Sequence, residues 1–251
     1  MFDLVGKKAI VTGAARGLGK GMARGLHKAG VDVVLIDLSN QVIQTAKEFN
    51  LSDAKTYGLT GDLSTQEERH RIFKEVLTLL DGRVDILVNA AGINNKVPSI
   101  EESLDSFTRV MNVNVTAVFE LSQLAAEVMI KQQSGKIINI GSMTSFFGAM
   151  NGAAYGTSKG AIAQLTKSLS NEWAHHGIQV NAIAPGVMAT EMTSHIASNP
   201  ELNADFSNRI PAGRWGTPED LEGITVFLSS AASNYITGTV IPVDGGYLAR
   251  V

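Results

Sequence analysis

A tyrosine and a lysine four residues apart, Tyr155 and Lys159, could exchange a proton within the segment G-A-A-Y-G-T-S-K-G-A. Residues at this spacing lie on one face of a helix. A nearby ammonium stabilises a phenolate, so the pair could form a tyrosine that acts as a general acid or base. Lowering the pKa of a phenol from about 10 to about 7 requires roughly 4 kcal/mol. Taken alone, the pair favours a blander interpretation, a surface tyrosine beside a solvated lysine.

A serine precedes this tyrosine by thirteen residues, at the end of the segment K-I-I-N-I-G-S. The apolar run predicts a strand, which would deliver Ser142 to its carboxyl end, beside the start of the helix that carries Tyr155. The hydroxyl of Ser142 could hold the oxygen atom that Tyr155 protonates or deprotonates. The alternative is a serine that forms a turn or caps a helix.

A glycine-rich turn, T-G-A-A-R-G-L-G, follows the first predicted strand and opens a helix. Gly13, Gly17 and Gly19 would let the backbone approach a pyrophosphate, which the amino end of the helix stabilises. Asp37 ends the second predicted strand, where a carboxylate accepts hydrogen bonds from the adenosine ribose and repels a 2′-phosphate. We therefore expect NAD as the cofactor. NADP is the alternative, because the cation of Arg16 in the turn could tolerate the phosphate.

Further residues at the carboxyl ends of predicted strands could line the adenine and the middle of the cofactor. Asn89 has a second interpretation, because its side chain could instead bond neighbouring backbone. These cofactor-binding candidates are Leu18, Leu38, Asp62, Leu63, Asn89, Ala90 and Gly92.

Short apolar segments alternate with longer amphipathic ones along the chain, which predicts a parallel sheet with helices on both faces. We expect a Rossmann-type α/β three-layer sandwich with a seven-stranded sheet, formed by one domain over residues 1–251. The segment 188–214 contains no strand pattern and is predicted to form a substrate lid. The predicted strands are Lys8–Thr12, Asp32–Asp37, Ala54–Leu59, Ile86–Asn89, Lys136–Ile140, Gln179–Ala184 and Val240–Val243. The predicted helices are Leu18–Ala29, Asn40–Phe49, Thr65–Leu80, Leu104–Lys131, Ala153–His175 and Pro218–Ser229.

Composition excludes several classes of function. The 251 residues carry a formal net charge of −3, which provides no basic surface for nucleic acid. Cysteine is absent, so disulfides, thiolate metal sites and a cysteine nucleophile are excluded. The histidine pair at 175–176 is the nearest approach to a metal motif, and we expect no metal. Apolar runs such as 31–36 are too short to cross a bilayer, so we expect a cytoplasmic protein without a membrane partner.

Taken in order, the motifs T-G-A-A-R-G-L-G, N-A-A-G, N-V-T-A-V-F, I-G-S, Y-G-T-S-K and A-P-G-V-M-A-T closely resemble the short-chain dehydrogenase/reductase family over nearly the full chain. The resemblance implies hydride transfer between nicotinamide and a substrate carbon, with Tyr155 as acid/base. Ser142 would anchor the substrate oxygen, and Lys159 would hold the nicotinamide ribose and lower the pKa of Tyr155. Asn114 would shape its helix and hold a water in the proton relay; Asn112 is the other candidate, but V-T-A-V-F matches only when Asn114 is chosen.

The same resemblance assigns the nicotinamide carboxamide to Pro185, Gly186, Met188 and Thr190. One departure from the family pattern is Ala90, where N-N-A-G is common. The family also implies a homotetramer, with the helical stretches 104–131 and 153–175 paired across a two-fold axis.

The substrate is indicated by segments such as R-I-P-A-G-R-W-G-T-P-E-D-L, which resemble gluconate and 2-dehydro-3-deoxygluconate dehydrogenases. We expect a small sugar acid, whose carboxylate requires a cation. Lys96 is the candidate, with Arg209 or Arg250 as backup, although a solvated loop lysine is equally consistent. The candidate pocket walls are Met143, Phe147, Met150, Met192 and His195.

Three alternatives to a sugar-acid dehydrogenase stay open. A 3-oxoacyl-acyl-carrier-protein reductase would share the catalytic residues but favour NADPH and a basic docking face. A neutral polyol dehydrogenase would need no cation for its substrate. A non-catalytic nucleotide-binding scaffold would not need Ser142, Tyr155 and Lys159 together.

Overall fold

A parallel sheet of seven strands forms the centre of the computed structural model, which describes residues 1–49, 54–193 and 199–250. The strand order is β3-β2-β1-β4-β5-β6-β7, and each neighbouring pair is parallel. This confirms the predicted Rossmann-type sheet. The strands are β1 (Lys8–Thr12), β2 (Asp32–Asp37), β3 (Thr56–Thr60), β4 (Ile86–Asn89), β5 (Gly135–Ile140), β6 (Ile178–Pro185) and β7 (Val240–Val243).

Helices cover both faces of the sheet. They are α1 (Gly17–Lys28), α2 (Gln41–Phe49), α3 (Gln66–Leu79), α4 (Leu104–Met111), α5 (Ala117–Gln132), α6 (Ala153–Trp173), α7 (Pro200–Asn208) and α8 (Glu222–Ser229). Alternate strand residues point to opposite faces. In β1, Ala9 and Val11 therefore pack on the side of α1, α2 and α8, whereas Ile10 packs on the side of α3, α5 and α6.

One predicted helix, Leu104–Lys131, is interrupted in the structure. Between α4 and α5 the residues Asn112–Thr116 form a π-helical turn. Single π turns inside α-helices occur frequently at functional sites. The predicted helices at 153–175 and 218–229 also differ, because the first ends in the 3₁₀ turn Ala174–His176 and the second begins with the 3₁₀ turn Pro218–Leu221.

The helical stretch Leu104–Gln132 is long and apolar enough to cross a membrane by length and composition alone. Its mean hydropathy over the most apolar window is 1.3, and 44% of that window is buried inside the fold. The apolar side chains of α5, among them Leu121, Ala125 and Met129, pack against the sheet. The hydropathy of this stretch is therefore explained by its packing in the core.

The carboxyl ends of the strands meet at one edge of the sheet. β1 and β4 are neighbours in the sheet, but the chain leads from β1 toward β2 on one side and from β4 toward β5 on the other. Ligands of such folds bind at this point, where the strand order changes direction. Every turn singled out from the sequence follows a strand at this edge.

The predicted lid begins beside this edge. Met188 forms a parallel bridge with Gly216, the 3₁₀ turn Glu191–Thr193 follows, and α7 lies within the predicted range. His195 and the side chain of Met192 lie outside the described residues.

Candidate active site

The glycine-rich turn brings the backbone after β1 into direct contact with the backbone after β4. Gly13 has φ +64°, and a Cβ atom there would lie 2.7 Å from Ala91 Cα. Gly17, the first residue of α1, has φ +58°. Side chains are disfavoured at both positions, and the amino end of α1 is left with uncovered backbone. This cradle fits the pyrophosphate of a dinucleotide.

Asp37 is fixed at the end of β2 by two backbone amides. Its Oδ2 accepts a hydrogen bond from Ala15 N at 3.0 Å, and its Oδ1 accepts one from Ser39 N at 2.9 Å. Each carboxylate oxygen retains a lone pair, so Asp37 can still accept hydrogen bonds from ribose hydroxyls. Arg16 does not pair with Asp37 but forms an ion pair with Glu191.

The remaining candidates on the adenine side divide into exposed and buried side chains. Leu38 is exposed, and Asp62 is exposed with its Oδ1 accepting a hydrogen bond from Ser64 N at 2.9 Å. The side chain of Leu63 belongs to the same apolar cluster as Ile72 and Phe73 of α3, and its contact with the cofactor stays a prediction. Only the first two therefore present side chains at the surface.

Asn89 does not bond neighbouring backbone through its amide nitrogen, and its predicted contact with the cofactor stays a prediction. Nδ2 donates to Asn139 Oδ1 at 2.9 Å and to Ser122 Oγ at 3.2 Å, so it bonds side chains of the core rather than backbone. Asn89 Oδ1 is buried without a hydrogen-bond partner in the described part of the chain. The side chain therefore stabilises the packing of β4 against β5 and α5.

The turn after β4 is held by a residue that the sequence did not single out. Thr12 Oγ1, at the end of β1, accepts hydrogen bonds from Ala90 N and Ala91 N, each at 3.0 Å. Gly92 follows, and a Cβ atom there would lie 3.4 Å from Asn114 Oδ1 and 3.8 Å from Lys159 Nζ. The turn thus connects the nucleotide cradle to the catalytic candidates.

The segment after β6 also reaches the cradle. Pro185 ends β6, and a Cβ atom on Gly186 would lie 2.5 Å from Asp244 Cα, so only glycine fits there. Met188 is buried, and Thr190 Cγ2 lies 3.8 Å from the position of a Cβ atom on Gly17. The predicted carboxamide-binding segment therefore lies beside the amino end of α1.

Ser142 follows β5, as predicted, and is oriented by Ser145. Ser142 Oγ accepts a hydrogen bond from Thr144 N, and Ser142 N donates to Ser145 Oγ, both at 3.2 Å. Ser145 Oγ in turn donates to Lys159 O at 2.8 Å, so it ties the serine turn to α6. Ser142 and Ser145 thus form a reciprocal capping box, which the sequence did not signal because its usual third residue after the cap is Glu or Gln.

Tyr155 and Lys159 share one face of α6, as the spacing predicts. Lys159 Nζ lies 5.5 Å from the centroid of the Tyr155 ring and donates a hydrogen bond to Ile140 O at 2.6 Å. The ammonium therefore lies over the ring and is bonded to the end of β5.

The protein groups on their own do not lower the pKa of Tyr155, and the predicted lowering, which also requires a cationic nicotinamide, stays a prediction. Burial raises the pKa of the Tyr155 phenol above 10.0, and a hydrogen bond with Ser142 opposes this only partly. Burial also lowers the pKa of Lys159 to about 8, since its side chain is enclosed and its one described hydrogen bond is to the carbonyl of Ile140. Burial thus destabilises the cation itself, which lies 5.5 Å from the centroid of the Tyr155 ring.

Asn114 lies in the π-helical turn and clamps the loop after β4. Its Oδ1 accepts from Ile93 N at 2.9 Å, and its Nδ2 donates to Ile93 O at 2.9 Å and to Ser158 Oγ at 3.0 Å. Ser158 Oγ donates to Tyr155 O at 2.7 Å. Asn114, rather than Asn112, therefore joins the loop beside Lys159 to the helical turn that carries Tyr155. Both amide hydrogens are used in these bonds, which leaves only oxygen atoms of Asn114 to hold a water.

We expect Asn114→Ala to lower the free energy of unfolding by about 1–3 kcal/mol, because Ile93 and Ser158 lose their partners in a buried site. The same change should reduce kcat at least about tenfold, since the loop beside Lys159 loses its clamp. Denaturant unfolding and initial rates measure the two effects. Asn112→Ala, two residues earlier and half-buried, is the control. An equal loss in both variants would contradict the assignment of the clamp to Asn114.

The predicted pocket walls that the structure describes differ in exposure. Phe147 contributes to a cavity of about 440 Å³ that residues between 144 and 157 line, and its ring stacks on Tyr247. Met143 is half-buried, but neither it nor Met150 lines that cavity, and Met150 is 92% exposed. The turn that carries Met150 lies at the surface, and the role of Met150 as a pocket wall stays a prediction.

The three cations proposed to bind the substrate carboxylate differ in their exposure and in their bonding partners. Lys96 is exposed and makes no hydrogen bond or ion pair within the described ranges, so it is available to an anion. The neighbouring Asn95 is not available, because its Nδ2 donates to Glu102 Oε1 and Ser106 Oγ. Arg250 Nη1 donates to Asn208 O, which joins the tail to the end of α7, and Arg209 is exposed.

No group of three or more potential metal ligands occurs among the residues that the structure describes. The chemistry available here is therefore that of a phenol, a hydroxyl and a buried ammonium beside a dinucleotide cradle. Such a set can move a proton to or from a substrate oxygen.

A family model described as enoyl-(acyl carrier protein) reductase matches residues 13–248 of this chain. A curated relative, 2-dehydro-3-deoxy-D-gluconate 5-dehydrogenase of Dickeya dadantii, is 45% identical over 250 residues, which cover 99% of this chain and 98% of the relative. Both matches span the cradle and the catalytic candidates.

Two solved structures have a closely similar fold. A candidate NAD(P)-dependent gluconate 5-dehydrogenase of Beutenbergia cavernae, with NADP bound at low occupancy, has a TM-score of 0.94 at 40% identity and covers 99% of both chains. A gluconate 5-dehydrogenase of Burkholderia cenocepacia, in complex with NADP and tartrate, has a TM-score of 0.94 at 35% identity, covering 100% of this chain and 98% of its own.

Proposed function

Because the chain belongs to the short-chain dehydrogenase/reductase family, we propose that it transfers a hydride between NAD(H) and a secondary alcohol or ketone of a sugar acid. The observation that carries this proposal is the arrangement at the ends of β4 and β5. There the Ser142 hydroxyl is close enough to the Tyr155 phenol to oppose the effect of burial on its pKa, and Lys159 and Asn114 lie beside the loop that leaves the nucleotide cradle.

In this proposal Tyr155 moves the proton. Its hydroxyl gives a proton to the substrate oxygen during reduction and takes it back during oxidation, while Ser142 holds that oxygen by a hydrogen bond. The nicotinamide supplies or accepts the hydride when it is bound. Lys159 would bind the hydroxyls of the nicotinamide ribose. Asn114 fixes the loop after β4 relative to the first turns of α6 through its hydrogen bonds to Ile93 and Ser158.

We assign NAD(H) as the preferred cofactor on the strength of Asp37. Its carboxylate is fixed at the end of β2 by Ala15 N and Ser39 N, where the adenosine ribose of a bound dinucleotide lies. A second phosphate at that ribose would be repelled by the carboxylate. Relatives of this chain have been solved with NADP, so the preference requires a direct test with both cofactors.

The assignment to a sugar acid rests on relatives that cover nearly the whole chain. They include 2-dehydro-3-deoxy-D-gluconate 5-dehydrogenases at 45% and 44% identity and a gluconate 5-dehydrogenase of Gluconobacter oxydans at 39% identity. Similarity along the whole length includes the loops after β4 and β6, which surround the catalytic candidates.

An initial-rate screen of the purified protein tests the proposal. Gluconate, 2-dehydro-3-deoxygluconate, a neutral polyol and an acetoacetyl thioester would each be assayed with NAD(H) and NADP(H). We expect turnover of a sugar acid with NAD(H), at a kcat/KM at least about tenfold above the polyol, because one charged contact contributes about 1.4 kcal/mol or more. Faster reduction of the thioester with NADPH would overturn the proposal and favour an acyl-carrier-protein reductase.

Lys96 is the residue we propose to meet the carboxylate of the substrate. Lys96→Ala should raise the KM for a sugar acid by about three- to tenfold and leave turnover of a neutral polyol nearly unchanged, because only the acid presents an anion. Lys131→Ala, an exposed lysine at the far end of α5, is the matched control. Equal losses on both substrates would exclude a charge-specific role for Lys96.

We further propose a cytoplasmic homotetramer. Exposed apolar side chains at Ile100, Leu104 and Phe119 lie on or next to α4 and α5, and Gly156 and Gly160 leave one face of α6 open. These helices could pack against a second copy through close backbone approach. A monomer in sedimentation at assay concentration would contradict this assembly.

A further inference from the structure

An ion pair connects the nucleotide cradle to the segment after β6. Arg16 Nη1 lies 2.5 Å from Glu191 Oε2, and the two side chains are 60% and 67% exposed. Arg16 is the residue immediately before α1, and Glu191 opens the 3₁₀ turn after Thr190. The pair joins parts of the chain that are 175 residues apart in sequence.

Arg16 is also close to the position that distinguishes the two cofactors. The adjacent residue, Ala15, donates its backbone N–H to Asp37 Oδ2 at 3.0 Å, so the Arg16 backbone lies next to the carboxylate at the ribose position. A flexible guanidinium at this place can reach a phosphate on the ribose, and guanidinium is the side-chain group best suited to bind phosphate. The same group is held by Glu191 in this structure.

We propose that Glu191 is a determinant of cofactor choice, because it competes with the 2′-phosphate of NADP for Arg16. Binding of NADP would require Arg16 to exchange a carboxylate partner for the phosphate, in the presence of a second carboxylate at Asp37. Binding of NAD leaves the Arg16–Glu191 pair intact. Two carboxylates thus discriminate against NADP. Asp37 repels the 2′-phosphate, and Glu191 forms an ion pair with the Arg16 guanidinium that would otherwise bind the phosphate.

The expected effect of Glu191 is moderate, since the pair is exposed to solvent and its attraction is screened. The 2′-phosphate carries between one and two negative charges at neutral pH, so loss of a nearby carboxylate should favour it. We expect Glu191→Gln to tighten NADP⁺ binding by about three- to tenfold and to change NAD⁺ binding by less than about twofold.

Calorimetric titration of the purified protein with NAD⁺ and NADP⁺ tests this proposal. It rests only on the nucleotide-binding part of the proposed function, so no substrate is needed. Glu219→Gln is the matched control, because Glu219 pairs with Arg24 on α1, away from the glycine-rich turn. This variant should change neither affinity. The double variant Arg16→Gln/Glu191→Gln, compared with Arg16→Gln alone, should show no gain in NADP⁺ affinity.

Two results would overturn the role of Glu191: an equal change in NAD⁺ and NADP⁺ affinity, including no change in either, or a gain for NADP⁺ that persists without Arg16. The proposed preference for NAD is judged separately, on the wild-type protein. Wild-type protein that binds NADP⁺ more tightly than NAD⁺ would contradict that preference, while the ratio between Glu191→Gln and wild type would still decide the role of Glu191.

Discussion

Replacement of Tyr155 by phenylalanine is expected to lower kcat by about 10²–10⁴-fold, the range that general acid–base catalysis contributes. The change removes only the hydroxyl that would exchange a proton with the substrate oxygen. Nucleotide affinity should stay within about twofold, because the ring remains in place on α6 and Lys159 keeps its bond to Ile140 O. Initial rates and calorimetric titration measure the two quantities.

Two comparisons make this result specific to Tyr155. Tyr235→Phe removes a hydroxyl from a fully exposed ring and should leave kcat unchanged. Ser142→Ala should reduce kcat less than Tyr155→Phe, since it removes a hydrogen bond rather than the proton donor. Near wild-type turnover by Tyr155→Phe would show that the reaction takes place elsewhere or that the protein is a nucleotide-binding scaffold.

The pH dependence of the wild-type protein gives an independent test of the same role. Burial raises the pKa of Tyr155, so at neutral pH its phenol is protonated when only protein groups act on it. Reduction uses the protonated form, and oxidation uses the phenolate. Oxidation of the substrate should therefore accelerate as pH rises above neutrality, whereas reduction should stay nearly constant until the pH approaches the raised pKa of the phenol. A rate of oxidation that falls over this range would contradict Tyr155 as the base.

The sheet and the cradle were predictable because their signals are local. Apolar runs alternate with amphipathic ones, and a glycine is required at position 13, where a Cβ atom would lie only 2.7 Å from Ala91 Cα. Ser142 and Tyr155 could be placed together from the sequence as well. Ser142 follows β5 and Tyr155 lies near the start of α6, the next long helix, so the order of the elements along the chain brings them together.

The features that the sequence did not predict depend on contacts between distant residues. The π-helical turn at Asn112–Thr116 contains Asn114, whose hydrogen bonds to Ile93 join residues 21 positions apart in the sequence. The direction of the Tyr155 pKa shift depends first on burial of the phenol, which a spacing of four residues does not determine.

Lys159→Met should make the cofactor-free protein more stable and the enzyme nearly inactive. Lys159 is 5% exposed, and burial of its ammonium lowers its pKa to about 8 from 10.5, which at about 1.4 kcal/mol per unit is a cost of a few kcal/mol. Methionine has a similar length and no charge, but it leaves Ile140 O without its donor. We expect a net gain of about 1–3 kcal/mol in the free energy of unfolding at pH 7, together with a loss of at least about 10²-fold in kcat/KM.

The pH dependence of the gain in stability distinguishes two possible causes, removal of the buried ammonium and better packing. Below pH 8 the ammonium is charged in both the folded and the unfolded state, so the wild-type protein bears the full cost of burial. Between about 8 and 10.5 the unfolded chain binds more protons at Lys159 than the folded one, and wild-type stability rises relative to the variant. The advantage of Lys159→Met should therefore shrink across this window. The buried Lys136 has the same pKa of about 8, but it is present in both proteins, so its contribution to the difference cancels.

Denaturant unfolding at several pH values measures the difference, with Lys131→Met as an exposed control that should gain nothing. An advantage that is constant or grows with pH would show that the buried charge is not its cause. A gain confined to the charged form would instead show that the fold gives up stability to keep an ammonium where the nicotinamide ribose binds.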